Sequence, residues 1–301
     1  MATKARPHRS VPRVASREGA GPALDRGRAV PWLVASAVAA MIGLVVSGIG
    51  LAAVDGIYGR ETEAFVDQAI AQDLVNLTLA APVTLLLAWL AWRGSLRAGL
   101  LWTGMLTFTV YNYAIYTMSI HVGPLFLAWV GVLGLTLWSL IGGLRALRPT
   151  AVAGALAAAP RRVVGWYLVG VGAAFTLLWL SDIVPAMLEG RVPQGAAALD
   201  LPSNPVHVLD LAIFLPAVIA IGRLVLLRRP AGLTLAPAAV VFLVMTGLPI
   251  LVTPFVTAAR GGDPAWQVMG PVGGLTAVGV VVLVVLVRPR APGPRDGVRR
   301  R

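Results

Sequence analysis

Residues 30–54, VPWLVASAVAAMIGLVVSGIGLAAV, carry no ionisable side chain and exceed the roughly 20 residues an α-helix needs to cross the hydrocarbon of a bilayer. A cleaved signal peptide has a shorter apolar core, about 7–15 residues, so this stretch reads as an uncleaved membrane anchor. Arg26 and Arg28 precede it, and Asp55, Glu61 and Glu63 follow it. The same reading extends along the chain to apolar stretches at about 73–92, 99–119, 125–144, 163–184, 206–227, 236–257 and 271–287. With the first, these make about eight crossings. The expected fold is therefore all-α, a polytopic membrane protein in a lipid bilayer.

Charge sorts the connections. Of the 25 Lys and Arg, all but Arg60, Arg191 and Arg260 fall in the two tails or in alternate connections or their flanks. Every acid except Glu18, Asp25 and Asp296 lies in or next to the other connections. Basic residues hold loops at the cytoplasmic face, so both termini are expected there. A composition of 57% hydrophobic and 13% charged residues cannot clothe a soluble globule. The net charge of +12 gathers where anionic head groups sit, which accounts for it without nucleic acid. The absence of cysteine excludes disulfides, thiolate metal sites and iron–sulfur clusters within the chain. The Ala, Val, Gly, Arg and Pro bias points to a bacterial cytoplasmic membrane. Residues 1–29 and 288–301 read as basic tails, the first disordered, around a transmembrane domain of 30–287.

Sliding the chain on itself by 134 residues places Val30, Trp32, Ala39, Ala40, Leu44, Ser47, Ile49, Ala52 and Gly56 on Val164, Trp166, Ala173, Ala174, Leu178, Ser181, Ile183, Ala186 and Gly190. Asp73 falls on His207, Asn76 on Asp210 and Pro82 on Pro216. An even number of spans per half keeps the copies in the same orientation, which predicts a parallel 4+4 repeat. Chance agreement among Ala- and Val-rich helices competes with this, because the match fades after the second span.

Ionisable and amide groups inside spans are costly, so they are where function is sought. Asp73 and Asn76 open the second span, His207 and Asp210 the sixth, each pair one helical turn apart on one face. Asp182 ends the fifth span. The cluster Tyr111-Asn112-Tyr113-Ala114-Ile115-Tyr116 places Asn112, Tyr113 and Tyr116 in the outer half of the third. All are candidates for a substrate or proton site on the extracytoplasmic side. His121, His207 and Asp210 are candidate ligands for a divalent metal, since imidazole and carboxylate suit Zn²⁺ or a similar ion. Neither His-x-x-x-His nor His-Glu-x-x-His occurs, so no cofactor is expected and the metal remains an alternative. Helix capping and aromatic-belt roles compete for the same residues. Residues 61–72 carry Phe65, Val66, Ala69 and Ile70 at helical spacing, which predicts a short interfacial helix.

The strings YNYAIYTMSIHVGPLF at 111–126, DLVNL at 73–77 and NPVHVLDL at 204–211 resemble blocks of a group of uncharacterised bacterial multipass integral membrane proteins. The resemblance covers about 30–257, implies a polytopic membrane protein with these blocks facing one another, and brings no activity with it. Three classes of function stand: a small-molecule or ion permease or binding protein, a structural or partner-binding subunit, and a membrane-embedded metal-dependent enzyme acting on a lipid-linked substrate. No nucleotide loop, hydrolase elbow or dinucleotide fingerprint is present, which weighs against the enzyme. Oligomeric state is open.

Overall fold

A computed structural model describes residues 22–288, so most of both basic tails lies outside the described residues. The chain is helical throughout these residues, with one isolated bridge, Leu24 to Leu147. The helices are α1 (Arg26–Ala52), α2 (Val54–Tyr58), α3 (Glu63–Val75), α4 (Ala81–Trp92), α5 (Leu96–Ser119), α6 (Phe126–Ala146), α7 (Pro149–Ala155), α8 (Arg161–Leu188), α9 (Gln194–Ala197), α10 (Pro205–Leu209), α11 (Leu215–Leu226), α12 (Pro230–Ala259) and α13 (Met269–Val287). A π-helical turn at Asn76–Ala80 joins α3 to α4, and another at Asp210–Phe214 joins α10 to α11.

Seven helices are long and apolar enough to cross a membrane, counting Glu63–Trp92 and Pro205–Leu226 as one each. This is an all-α multipass membrane protein. The eighth long helix, α5, would reach about 36 Å at 1.5 Å per residue, ample for a crossing. It falls outside the seven, and three Tyr, one Asn and several Thr break its apolar run. Those residues are tolerable because α4, α6 and α12 wrap α5 and turn its polar side toward protein.

Local chemistry sets the helix starts. Asp25, Thr62, Ser95 and Asn204 each accept a backbone N–H of the first turn of α1, α3, α5 and α10. Gly94 takes φ +96 in the tight turn from α4 to α5, a conformation a side chain would oppose. Residues 23–25 are tied to the end of α6, with Asp25 N–H donating to Ala146 O and Arg148 N–H to Ala23 O, both at 2.9 Å. The ordered domain thus begins before the expected residue 30. The second span also begins earlier: Thr62 caps a helix that runs from Glu63 into the span, where an interfacial helix ending near Gln72 was expected.

Each π turn lies just before a proline. Pro82 and Pro216 lack the N–H that would return to the carbonyl four residues earlier, and their rings crowd that carbonyl. Widening the turn relieves the clash, and Ala81 N–H reaches back five residues to Asn76 O, as Leu215 N–H does to Asp210 O. Both turns, and the starts of α4 and α11 and of α5 and α12, are 134 residues apart, the offset found in the sequence. Packing repeats too: α1 lies on α4 as α8 lies on α11, and α4–α5–α6 is echoed by α11–α12–α13. The halves meet where α5 packs on α12, with α12 also against α3 and α5 against α10.

Candidate functional site

Asp73, three turns into the span Glu63–Trp92, is 1% exposed. Tyr58 of α2 donates to its Oδ2 at 2.6 Å, and Tyr116 of α5 donates to its Oδ1 at 3.0 Å. Helix α1 comes close only because Gly50 faces this carboxylate: a Cβ there would overlap both Asp73 and the Tyr58 hydroxyl. Tyr58 stacks on Trp129 at 6.5 Å, and Tyr116 meets the same indole edge-on at 5.3 Å. Burial first, then the adjacent Asp73, holds the Tyr58 phenol above its ordinary range, so it remains a donor. Among the described residues Asp73 has no basic partner.

One turn further in, Asn76 opens the π turn. Its Oδ1 accepts from Gln72 Nε2 at 3.1 Å and from Asn112 Nδ2 at 3.2 Å, which fixes the orientation of the amide. Its Nδ2 is buried without a partner, as are Ser47 Oγ and Tyr113 Oη. Asn76 and Tyr113 line an internal cavity of about 20 Å³, room for one or two water molecules, between α1, α4, α5 and α6. Ser36, Ala40, Gly43, Ser47 and Gly50 share one face of α1 at spacings of three and four residues, running from beside this cavity up to Asp73.

The second half builds a different arrangement at the matching place. Asp210 Oδ2 accepts from Trp179 Nε1 of α8 at 2.8 Å, and Tyr111 of α5 stands beside the same carboxylate from across the junction of the halves. Tyr111 meets Phe214 and Phe242 edge-on at 4.9 and 5.2 Å. His207 packs on Trp179 with ring centroids 4.6 Å apart. Asp182 accepts the backbone N–H groups of Gln194 and Gly195, each at 3.0 Å, and thereby ties α8 to α9.

Of the residues singled out in the sequence, Asp73, Asn76, Asn112, Tyr113 and Tyr116 come together in the first half. Asp182, His207 and Asp210 lie in the second, and of these Asp210 and His207 share Trp179. The metal candidates are not assembled: His121 Nδ1 lies 2.9 Å from Glu61 Oε1, which also accepts the His121 N–H. No group of three His, Cys, Asp or Glu side chains with metal-binding geometry occurs among the described residues. Sequence reasoning missed Tyr58, Gln72 and Trp179 as partners of the buried polar groups. It also missed the role of Ser47 and Gly50, for which the small-residue face of α1 was the available signal.

No protein-family model, curated protein or solved structure matches this chain.

Proposed function

We propose that this membrane protein is a small-molecule or ion permease, or a binding protein of that type, in which Asp73 and the cavity beside Asn76 form the principal site. One observation carries the reading: two π turns, 134 residues apart, each begin at a buried polar residue and precede a proline, at the heart of a duplicated bundle. Interrupted helices in repeated halves are how transporters present polar groups within the bilayer, and π turns gather at functional sites. A carboxylate as buried as Asp73, without a cationic neighbour, is costly as a bare charge and invites a proton or a small cation. The basic helix ends, from Arg26 to Arg229, face the cytoplasm and its anionic lipids in this arrangement, with both termini on that side.

The structural-subunit reading draws support from the completeness with which two tyrosines satisfy Asp73. Proteoliposomes carrying an internal pH dye or a Na⁺ dye separate the two under a potential set by K⁺ and valinomycin. Permease function predicts H⁺ or Na⁺ movement above empty vesicles, abolished in Asp73→Asn and reduced in Asp210→Asn. No movement of either ion by the native protein, together with a lowered melting temperature in Asp73→Asn, overturns the reading and assigns the cluster to structure.

A further inference from the structure

The walls of the internal cavity have an unusual hydrogen-bond inventory. Thr84, Thr109 and Thr136 give their hydroxyl protons to carbonyls of their own helices, at Ala80, Met105 and Val132. Ser36 gives its proton to Leu33 O and already accepts from Trp102 Nε1. The threonines therefore offer lone pairs only, while Asn76 Nδ2 offers free N–H and Tyr113 Oη is uncommitted. Water is the guest this wall fits: it donates twice to the threonine lone pairs, accepts from Asn76, and fits the volume.

Ser47 lies on one face of α1 between Gly43, which faces the Tyr113 hydroxyl, and Gly50, which faces Asp73, and among the described residues it has no committed partner. Carboxyl, serine hydroxyl, phenol and cavity thus form a sequence of groups that can both give and take a proton. We infer that the cavity holds water and that Ser47 and Tyr113 relay protons between this water and Asp73. The inference rests on the proposed transport reading and names the proton as the species that uses the site.

In the relay, the proton of the Asp73 carboxyl bonds to Ser47 Oγ while the Ser47 hydroxyl proton passes to Tyr113 Oη and the Tyr113 proton passes to a cavity water. One carboxyl O–H bond is lost and one hydronium O–H bond is gained. Each hydroxyl ends with a single proton, and no electron changes hands. Tyr58 and Tyr116 close the other side of Asp73, so the small residues of α1 leave the way open inward. Gly43 belongs to the device: a Cβ there would sit 3.2 Å from Tyr113 Oη, in the cavity wall.

Two readouts test this on the full-length protein. The first is proton flux into proteoliposomes with an internal pH dye, for the native chain, Tyr113→Phe, Ser47→Ala and Gly43→Ala. The relay predicts a fall on the order of a hundredfold in Tyr113→Phe, the scale of losing a positioned proton carrier, and smaller falls in the other two. The second is the infrared carboxyl band that Asp73→Asn removes, followed after transfer to D₂O. Its exchange should be fast in the native protein and slowed in Tyr113→Phe and Gly43→Ala. Exchange in Tyr113→Phe and Gly43→Ala at the native rate, or no carboxyl band assignable to Asp73, overturns the relay. Absent native flux with exchange that still depends on Tyr113 keeps the relay and defeats transport. The variants' melting temperatures show whether they are folded.

Discussion

The two halves of the molecule begin their helices in register and then pack differently. In the first, α1 lies along α6, and Trp32 is seated against Gly142, where a Cβ would overlap the indole. In the second, α8 touches α13 at few points and the counterpart Trp166 is 64% exposed. The polar interior is equally one-sided. Ser36, Thr84, Thr109 and Tyr113 around the cavity correspond to Gly170, Val218, Leu243 and Gly247. The halves thus share the π turns before a proline and the starts of the two helices that follow each turn. The side chains that decide which helices close on each other diverged, and with them the wet interior.

The sharpest break of this contrast is at Gly50. A valine there would drive its Cβ into the Asp73 carboxylate and the Tyr58 hydroxyl and leave a buried acceptor without its donor. Gly50→Val is expected to cost about 3 kcal/mol, read as a fall in melting temperature in detergent. The counterpart in the other half is Val184, exposed on α8, and Val184→Ala should stay within about 0.5 kcal/mol. Equal effects at the two positions would erase the distinction between a closed and an open half.

Next in size is the tryptophan pair. Trp32→Ala empties the seat on Gly142 and is expected to cost about 2 kcal/mol, below the full value for a buried aromatic because Trp32 is half-buried. Trp166→Ala removes a ring that touches little of the protein and should change the same melting curve by no more than about 0.5 kcal/mol. A comparable loss from Trp166 would mean that the outer face of α8 is covered in the detergent-purified protein.

How much of this could be read from residues alone follows from what each feature depends on. The spans follow from composition, and the repeat from matches such as Trp32 with Trp166 and Pro82 with Pro216. The pairing of Asp73 with Asn76 followed from helical periodicity, and their meeting with the tyrosine cluster was implied only by the resemblance of these blocks to a group of multipass membrane proteins. Tyr58 escaped because nothing in 55–60 shows that the chain turns back over α1 to present a phenol to Asp73. Trp179 carried no signal in the sequence, and only its hydrogen bond to Asp210 shows its place. His121 and His207 share a leaflet, which suggested a metal, yet leaflet says nothing of position within the plane. The His121 ring meets Glu61 and the His207 ring meets Trp179.

The smallest expected effect concerns how the halves are joined. Arg260, at the end of α12, sets its Nε 2.7 Å from Asp67 Oδ1 on α3, and the repeat offers no second copy because the matching residues are Phe126 and Leu201. The Asp67 side chain is 10% exposed and that of Arg260 is 40%, so the pair lies between a surface bridge worth little and a buried one whose rupture strands a charge. Arg260→Ala is therefore expected to lower stability by about 1 kcal/mol, an effect that shrinks as salt is raised because the arginine reaches solvent. Double replacement, Arg260→Ala with Asp67→Asn, should recover part of the loss, since no buried charge is then left alone. If the single variant is neutral at low salt, the halves are held by the packing of α12 on α5 and α3 and of α5 on α10, and any rocking of one against the other would meet no electrostatic latch.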